Sequence, residues 1–269
     1  MLTRIPIFYF YLSSAAQAFS LAPSFTVARS TSTLSHTLNM SNNVGLTDIG
    51  AGTESSIPSQ SSEDKTTWRE KIGISIVKSR KVRGGNYVQI ATVDPETLEP
   101  RCRTVVFRGF LKKDAEYTDI MKMITDKRSS KYSEVASSST EQQKSTCEMV
   151  WWFGKSSEQY RIRGQLKFVG GDETDSSLLA ARKEQWGNLS DPSREQFYWK
   201  QPGLPFDSQA EVPVGGRDGD GTVLPAPDNF LLMLLYPSRC DYLRLTDNFK
   251  QIDTVNGDDA SWEAQRVTP

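Results

Sequence analysis

Histidine is almost absent, with one residue, His36, in a chain of 269. It lies in an N-terminal stretch of separate character, so the rest of the chain has no histidine. That excludes a Ser-His-Asp or Cys-His triad and a His-ligated metal or haem. Cysteine is scarce too. Cys102, Cys147 and Cys240 are odd in number and far apart, which gives neither a disulfide framework nor zinc-ligand spacing. The N-terminal apolar run, Ile5 to Leu12, is far shorter than the roughly 20 residues that cross a bilayer. Neither sign of charge dominates, with 32 Lys+Arg against 33 Asp+Glu. The cation excess behind generic nucleic-acid binding is therefore missing. A chain of this length suits one large domain or two small ones, and can bury about 70–75% of its unfolded surface.

Acidic residues are missing from residues 1–47, and the first is Asp48. Arg4, the apolar run and the small residues Ser13 to Ala16 lead into Ala16-Gln17-Ala18, an A-x-A cleavage pattern. Residues 1–18 therefore read as a signal peptide. From Phe19 to Thr47 there are 11 Ser/Thr, Arg29 and no acid, which is transit-peptide composition. The pair, with Phe19 directly after the cleavage pattern, resembles the bipartite presequences of algae with secondary plastids. The expected destination is a plastid; the alternative is an ordinary secretory signal leading to secretion or an endomembrane lumen. Residues 48–67 are rich in Ser, Gly and acids and read as a disordered linker, which leaves 68–269 as the folded domain.

The body reads as strands. Asn86–Val93, Arg103–Phe110, Asp119–Thr125, Cys147–Phe153, Gln159–Val169, Asn229–Tyr236, Cys240–Leu245 and Trp262–Val267 are rich in β-formers, and several alternate. That density argues for an antiparallel barrel or sandwich. Helices are expected over Trp68–Ser79, from Ser130 through Val135, from an Asp175 cap through Trp186, and from Asp191-Pro192 to Tyr198. Residues 201–228, with five prolines and a Gly-Asp-rich run, read as a long surface loop. Asp218-Gly-Asp220-Gly departs from a calcium loop at its sixth and twelfth positions. Asp258-Asp259 reads as solvated, and Trp151-Trp152 as half core and half interface.

What remains is cationic and rich in hydroxyls. Arg101, Arg103 and Arg108 crowd one strand, with Arg101 and Arg103 on one face. Thr125-Asp126-Lys127-Arg128-Ser129-Ser130-Lys131 then places cations and hydroxyls where a strand ends and a helix begins. This combination suits a phosphate; a solvated charged turn is the alternative. Arg103 opens an otherwise apolar run, so its guanidinium needs a partner at the edge of the core.

Six segments occur in order: R-T-V-V-F-R-G-F; T-D-K-R-S-S-K; W-W-F-x(4)-E-Q-Y-R-I-R-G; A-R-x(3)-W-x(2)-L-S-D-x(2)-R-x(2)-F-x-W-x(2)-P-G; D-Y-L-x-L; and W-x(3)-R-V-x-P. The series resembles the pyridoxamine 5'-phosphate oxidase-like FMN-binding proteins, most of all the cyanobacterial and plant branch of unassigned activity. The resemblance covers about residues 68–269. It implies a mainly β fold, a split β-barrel of antiparallel strands with peripheral helices. It also implies a homodimer with one FMN at each end of the interface. By position it implies FMN contacts from Arg103, Thr104, Val105, Val106 and Arg108. The oxidase turn that holds the phosphate maps to Thr125, Ser129, Ser130 and Lys131, with Ser130 where the oxidase has Arg and Arg128 as the compensating cation. Gln159 takes the place of a flavin-contacting Gln, and Ser190 that of a serine supplied by the dimer partner. Leu243 and Lys250 stand at the positions of a C-terminal Trp and Arg. Arg182 is the one match to the residues that bind substrate phosphate, and the oxidase's R-x-H pair has no counterpart. The expectation is an FMN-binding flavoprotein, an FMN-dependent oxidoreductase with its small-molecule substrate unassigned. It has no metal, no nucleic-acid partner and no membrane attachment after processing. A non-catalytic FMN-binding or sensing protein is the alternative, and haem handling or a structural β-protein are remoter readings.

Overall fold

A computed structural model describes residues 66–136, 146–205, 211–257 and 260–269. The presequence, most of the linker and the Asp258-Asp259 pair fall outside these described residues.

Among the described residues, nine strands form one antiparallel sheet: β1 (Tyr87–Val93), β2 (Pro100–Val106), β3 (Phe110–Lys113), β4 (Glu116–Asp126), β5 (Thr146–Phe153), β6 (Glu158–Val169), β7 (Phe230–Arg244), β8 (Phe249–Val255) and β9 (Trp262–Val267). Their order is β2-β1-β5-β6-β7-β4-β3. β7 runs beside β6 along its length, while its other edge is divided. Phe230 to Leu235 pair with β4, and Arg239 to Arg244 pair with β8, which carries β9. The link from β2 to the edge strand β3 extends the β3–β4 ladder, where the Arg108 N–H donates to the Lys122 carbonyl (2.8 Å) and the Lys122 N–H to that of Gly109 (2.7 Å), so the chain leaving one end of the strand order is bound to the other. The sheet thereby curls into a barrel.

Alternation along the strands fills the interior. Val88, Ile90, Met121, Met123, Met149, Trp151, Tyr160, Ile162, Met233 and Tyr242 form one core with Trp68, Ile72 and Ile76 of helix α1 (Trp68–Ser79). Phe230 to Leu235 are buried on both faces, because helix α3 (Ser176–Gly187) covers the side turned from the barrel. That is why this stretch is continuously apolar rather than alternating. Asp175 caps α3, accepting from the backbone N–H groups of Ser177 and Leu178. Helix α2 (Ser130–Ala136) and the short α4 (Asp191–Glu195) complete the set. The cap of α4 is Ser190 rather than Asp191; Asp191 instead binds Arg194 and Arg217.

The segment Arg103–Phe110, expected as one strand, breaks at Phe107–Gly109, where Gly109 takes a φ of 103°. The two strands expected over Asn229–Leu245 are instead the single β7.

Candidate functional site

The site is built from the end of β4, the turn after it, and the neighbouring ends of β1 and β2. Asp126 closes β4 and organises the turn. Its carboxylate accepts from the Arg128 backbone N–H (2.7 Å), from the Arg128 guanidinium, and from Asn229 Nδ2 (2.7 Å). Burial pushes the Asp126 carboxyl up, but these donors outweigh it and hold it below its ordinary range.

With the turn fixed, three side chains converge. Lys131 Nζ donates to Thr125 Oγ1 (3.0 Å) and to Ser129 Oγ (3.2 Å), and the two hydroxyls lie 3.1 Å apart. Burial lowers the Lys131 ammonium below its ordinary value, and the neighbouring Arg103 guanidinium lowers it further; Asp126 and Glu134 oppose them. Two cations are thus held close together at a half-buried place lined with hydroxyls. An anion bound there would relieve their repulsion and raise the Lys131 pKa.

Arg103 reaches this place from β2. Its Nη1 donates to Thr92 Oγ1 and to the Arg101 carbonyl, and its Nη2 to Glu134 Oε2. Its Nε–H and the second Nη2 proton have no partner among the described residues. Thr92 (β1) and Glu134 (α2) are almost fully buried, and the Thr92 hydroxyl donates to Glu134 Oε2 at 2.5 Å.

Thr104 is exposed, Val105 buried and Val106 half-buried, as the alternation of β2 requires. Arg101 turns to Glu99 (3.0 Å). Arg108 is largely desolvated, which lowers its pKa, and its Nε is buried without a hydrogen-bond partner among the described residues. Arg128 does not join Lys131: it grips Asp126 and donates to the carbonyls of Phe197 and Trp199. Ser130 is an exposed first residue of α2. Ser190 holds the N-cap position of α4, with its side chain sharing a hydrogen bond with the Ser193 hydroxyl (2.9 Å) rather than capping the backbone. Arg182 is 8% exposed and donates to the carbonyls of Phe230 and Pro227, which turns it away from open surface. Gln159 sits in a cross-strand row with Trp152, Leu243 and Lys250 on the outer face of the barrel. Asp126 belongs to the turn expected from the sequence, whereas Thr92, Glu134 and Asn229 were not expected as parts of the site. The one signal for Glu134 is its spacing of three from Lys131, which puts both on one face of α2.

The donor set fits a flavin mononucleotide, with a cation–hydroxyl cluster for its phosphate. Comparison with known proteins points the same way. Residues 65–170 match the family described as pyridoxamine 5'-phosphate oxidase, FMN-binding domain. Pyridoxine/pyridoxamine 5'-phosphate oxidase 2 of Arabidopsis thaliana is 30% identical over 209 residues, 75% of this chain and 96% of that protein. An uncharacterised protein of Saccharomyces cerevisiae is 42% identical over 85 residues, spanning 29% of this chain and 28% of that one. Among solved structures, a pyridoxamine 5'-phosphate oxidase-related, FMN-binding protein of Nostoc punctiforme aligns with a TM-score of 0.63 at 31% identity, over 76% of this chain and 98% of that one. PhzG of Burkholderia lata shares the fold, with a TM-score of 0.56 at 17% identity over 74% and 90% of the two chains. The cation–hydroxyl turn, the curled sheet and a near full-length match to the plant oxidase agree, and the chain belongs to the pyridoxamine 5'-phosphate oxidase family of FMN-binding proteins.

Proposed function

We propose that the protein is an FMN-dependent oxidoreductase that works as a homodimer on a small-molecule substrate. The observation that carries the FMN site is Lys131 on the hydroxyls of Thr125 and Ser129, with Arg103 near enough that its charge lowers the Lys131 pKa. These four residues would hold the phosphate. Arg108, whose buried Nε has no partner among the described residues, and Gln159, on the outer face, are the further contacts proposed for the cofactor.

FMN, when bound, supplies hydride acceptance and donation, so the protein needs no nucleophile of its own. That accords with a body without histidine and with two of its three thiols buried. Burial pushes the Cys147 thiol up to about 12 and the Cys240 thiol well above its ordinary value, so neither is a thiolate at neutral pH. The task of this chain's residues is to bind and orient the cofactor and to exclude water from its phosphate end. The name of the Arabidopsis relative makes pyridoxine 5'-phosphate and pyridoxamine 5'-phosphate the first substrates to try.

The test is flavin binding followed by turnover. Charge reversal at Arg103 or Lys131 should weaken FMN binding by at least about a hundredfold, since each removes a charge-assisted contact and adds a repulsion. Unchanged binding in both variants would remove the site. Pyridoxal 5'-phosphate formation by the wild type under air would establish the oxidase. Retained flavin that is neither turned over by these substrates nor bleached by NAD(P)H would instead indicate an FMN-binding or sensing protein.

A further inference from the structure

Arg103 carries five N–H donors in a rigid fork. The structure assigns the end-on edge of that fork to two residues of this chain: Nη1 to Thr92 Oγ1 and Nη2 to Glu134 Oε2, each at 2.5 Å. The outer Nη1 proton goes to the Arg101 carbonyl (2.9 Å). Thr92 donates its own proton to the same Glu134 oxygen, so the triangle of guanidinium, hydroxyl and carboxylate is closed. Only the side-on edge, Nε–H with the remaining Nη2 proton, is left for anything else. That edge is the geometry that grips a phosphate or carboxylate through two parallel bonds.

We propose that Glu134 is a positioning residue for the cofactor phosphate. It acts through Arg103, by occupying one edge of the guanidinium and so fixing which edge is offered to the anion. The inference rests on the FMN reading for the identity of that anion, but not for the existence of the anion site. It runs against simple electrostatics. A buried carboxylate so near a phosphate site repels the phosphate, and if charge alone mattered its removal would tighten binding. The fork geometry requires the opposite, because a guanidinium without Glu134 is free to turn its edge.

The experiment uses the full chain and four variants: E134A, E134Q, E134D and R103A, with the E134A/R103A double variant. FMN affinity is read by flavin fluorescence, and inorganic phosphate is tested separately as a thermal stabiliser. Glutamine keeps the reach and both acceptor bonds without the charge, whereas aspartate keeps the charge and loses the reach. We expect E134A and E134D to weaken FMN by about tenfold or more, and E134Q to stay within about threefold of the wild type. In the R103A background, E134A should add less than about threefold. Should E134A not fold, the contrast between E134D and E134Q still decides. Binding unchanged or tightened in E134D, equal losses in E134Q and E134D, or an undiminished E134A effect without Arg103 would each overturn the proposal. A wild type that ignores FMN, yet is stabilised by phosphate in this same Glu134-dependent pattern, would sink the FMN reading and keep the positioning role. A wild type that takes up neither would overturn both.

Discussion

Arg182 stands at the position that the family resemblance gives to substrate binding, and the structure gives it other work. Its Nε and Nη2 donate to the Phe230 carbonyl (3.2 and 2.9 Å), and Nη2 also to that of Pro227 (3.1 Å). Its guanidinium lies 5.2 Å from the Phe230 ring centroid. It therefore ties α3 to the start of β7. Replacing it with methionine keeps much of the stem packing but strands the buried Phe230 carbonyl, while that of Pro227 keeps the Phe230 N–H as a donor. The stranded carbonyl should cost about 1–3 kcal/mol, so we expect R182M to lower stability by about that much in urea unfolding while FMN affinity stays within about threefold. A large loss of affinity with unchanged stability would return Arg182 to the binding site. Arg103 and Lys131 were legible in the sequence because cations next to apolar runs and hydroxyls stand out. Glu134 and Thr92 were not, because a lone carboxylate on a short helix and a threonine in a strand look ordinary. Their importance comes from a contact between β1, β2 and α2, and no local pattern records that contact.

At the scale of elements, α1 was legible to the residue. Trp68, Ile72 and Ile76 recur at helical spacing, and Thr67 opens the helix, its N–H donating to Glu70 (2.9 Å). β8 was missed, because a Lys, a Gln and an Asp interrupt its apolar residues. Gln251 and Asp253 are in fact fully buried, since this strand's polar face receives the start of α1. Asp253 accepts from the Trp68 backbone N–H (2.9 Å) and from Gln251 Nε2, which also donates to the Thr66 carbonyl (2.9 Å). β7 was read as two strands because of Pro237 and Ser238. The register shifts between Arg163 and Gly164, opposite Pro237, and this bulge absorbs the missing donor. Gly164 is required there, since an added Cβ would lie 2.0 Å from the Tyr236 carbonyl oxygen. Burial raises the Asp253 carboxyl above its ordinary value, despite hydrogen bonds from Gln251 and Trp68 that favour the anion. With a raised folded pKa, the stabilisation is full below the unfolded carboxylate pKa of roughly 4 and is lost as pH climbs through the folded value. Most other shifted carboxyls, among them Asp126 and Asp191, are lowered and give the reverse slope. The comparison that isolates Asp253 is therefore wild type against D253N. We expect the wild type to lose ground to D253N in urea unfolding as pH rises from about 4 towards neutrality. A difference that is flat with pH would mean the carboxyl titrates normally.

At the scale of the molecule, the inner face of the barrel is closed by its own side chains, and the outer face is not. Trp152 is 47% exposed, while its chain neighbour Trp151 is fully buried. Leu245, just past β7, is 51% exposed. Trp152 also begins the row that continues through Gln159, Leu243 and Lys250. A large aromatic left open beside a residue proposed to contact the flavin ties two parts of the proposed function together. If a second copy covers this face, assembly and cofactor binding share one surface and must be linked by mass action. Burying most of a tryptophan contributes about 2–3 kcal/mol, enough that W152E should shift a micromolar wild-type dimer to monomer in sedimentation. FMN affinity should then fall in W152E and recover in part as protein concentration rises, whereas the wild type above its dimer constant should show no such dependence. A monomeric wild type that binds FMN tightly, or a W152E variant that stays dimeric, would show that the open tryptophan serves something other than self-association. The coupling of the two measurements is the sharper criterion, because a tryptophan that merely packed against the flavin within one chain would lower affinity with no dependence on protein concentration.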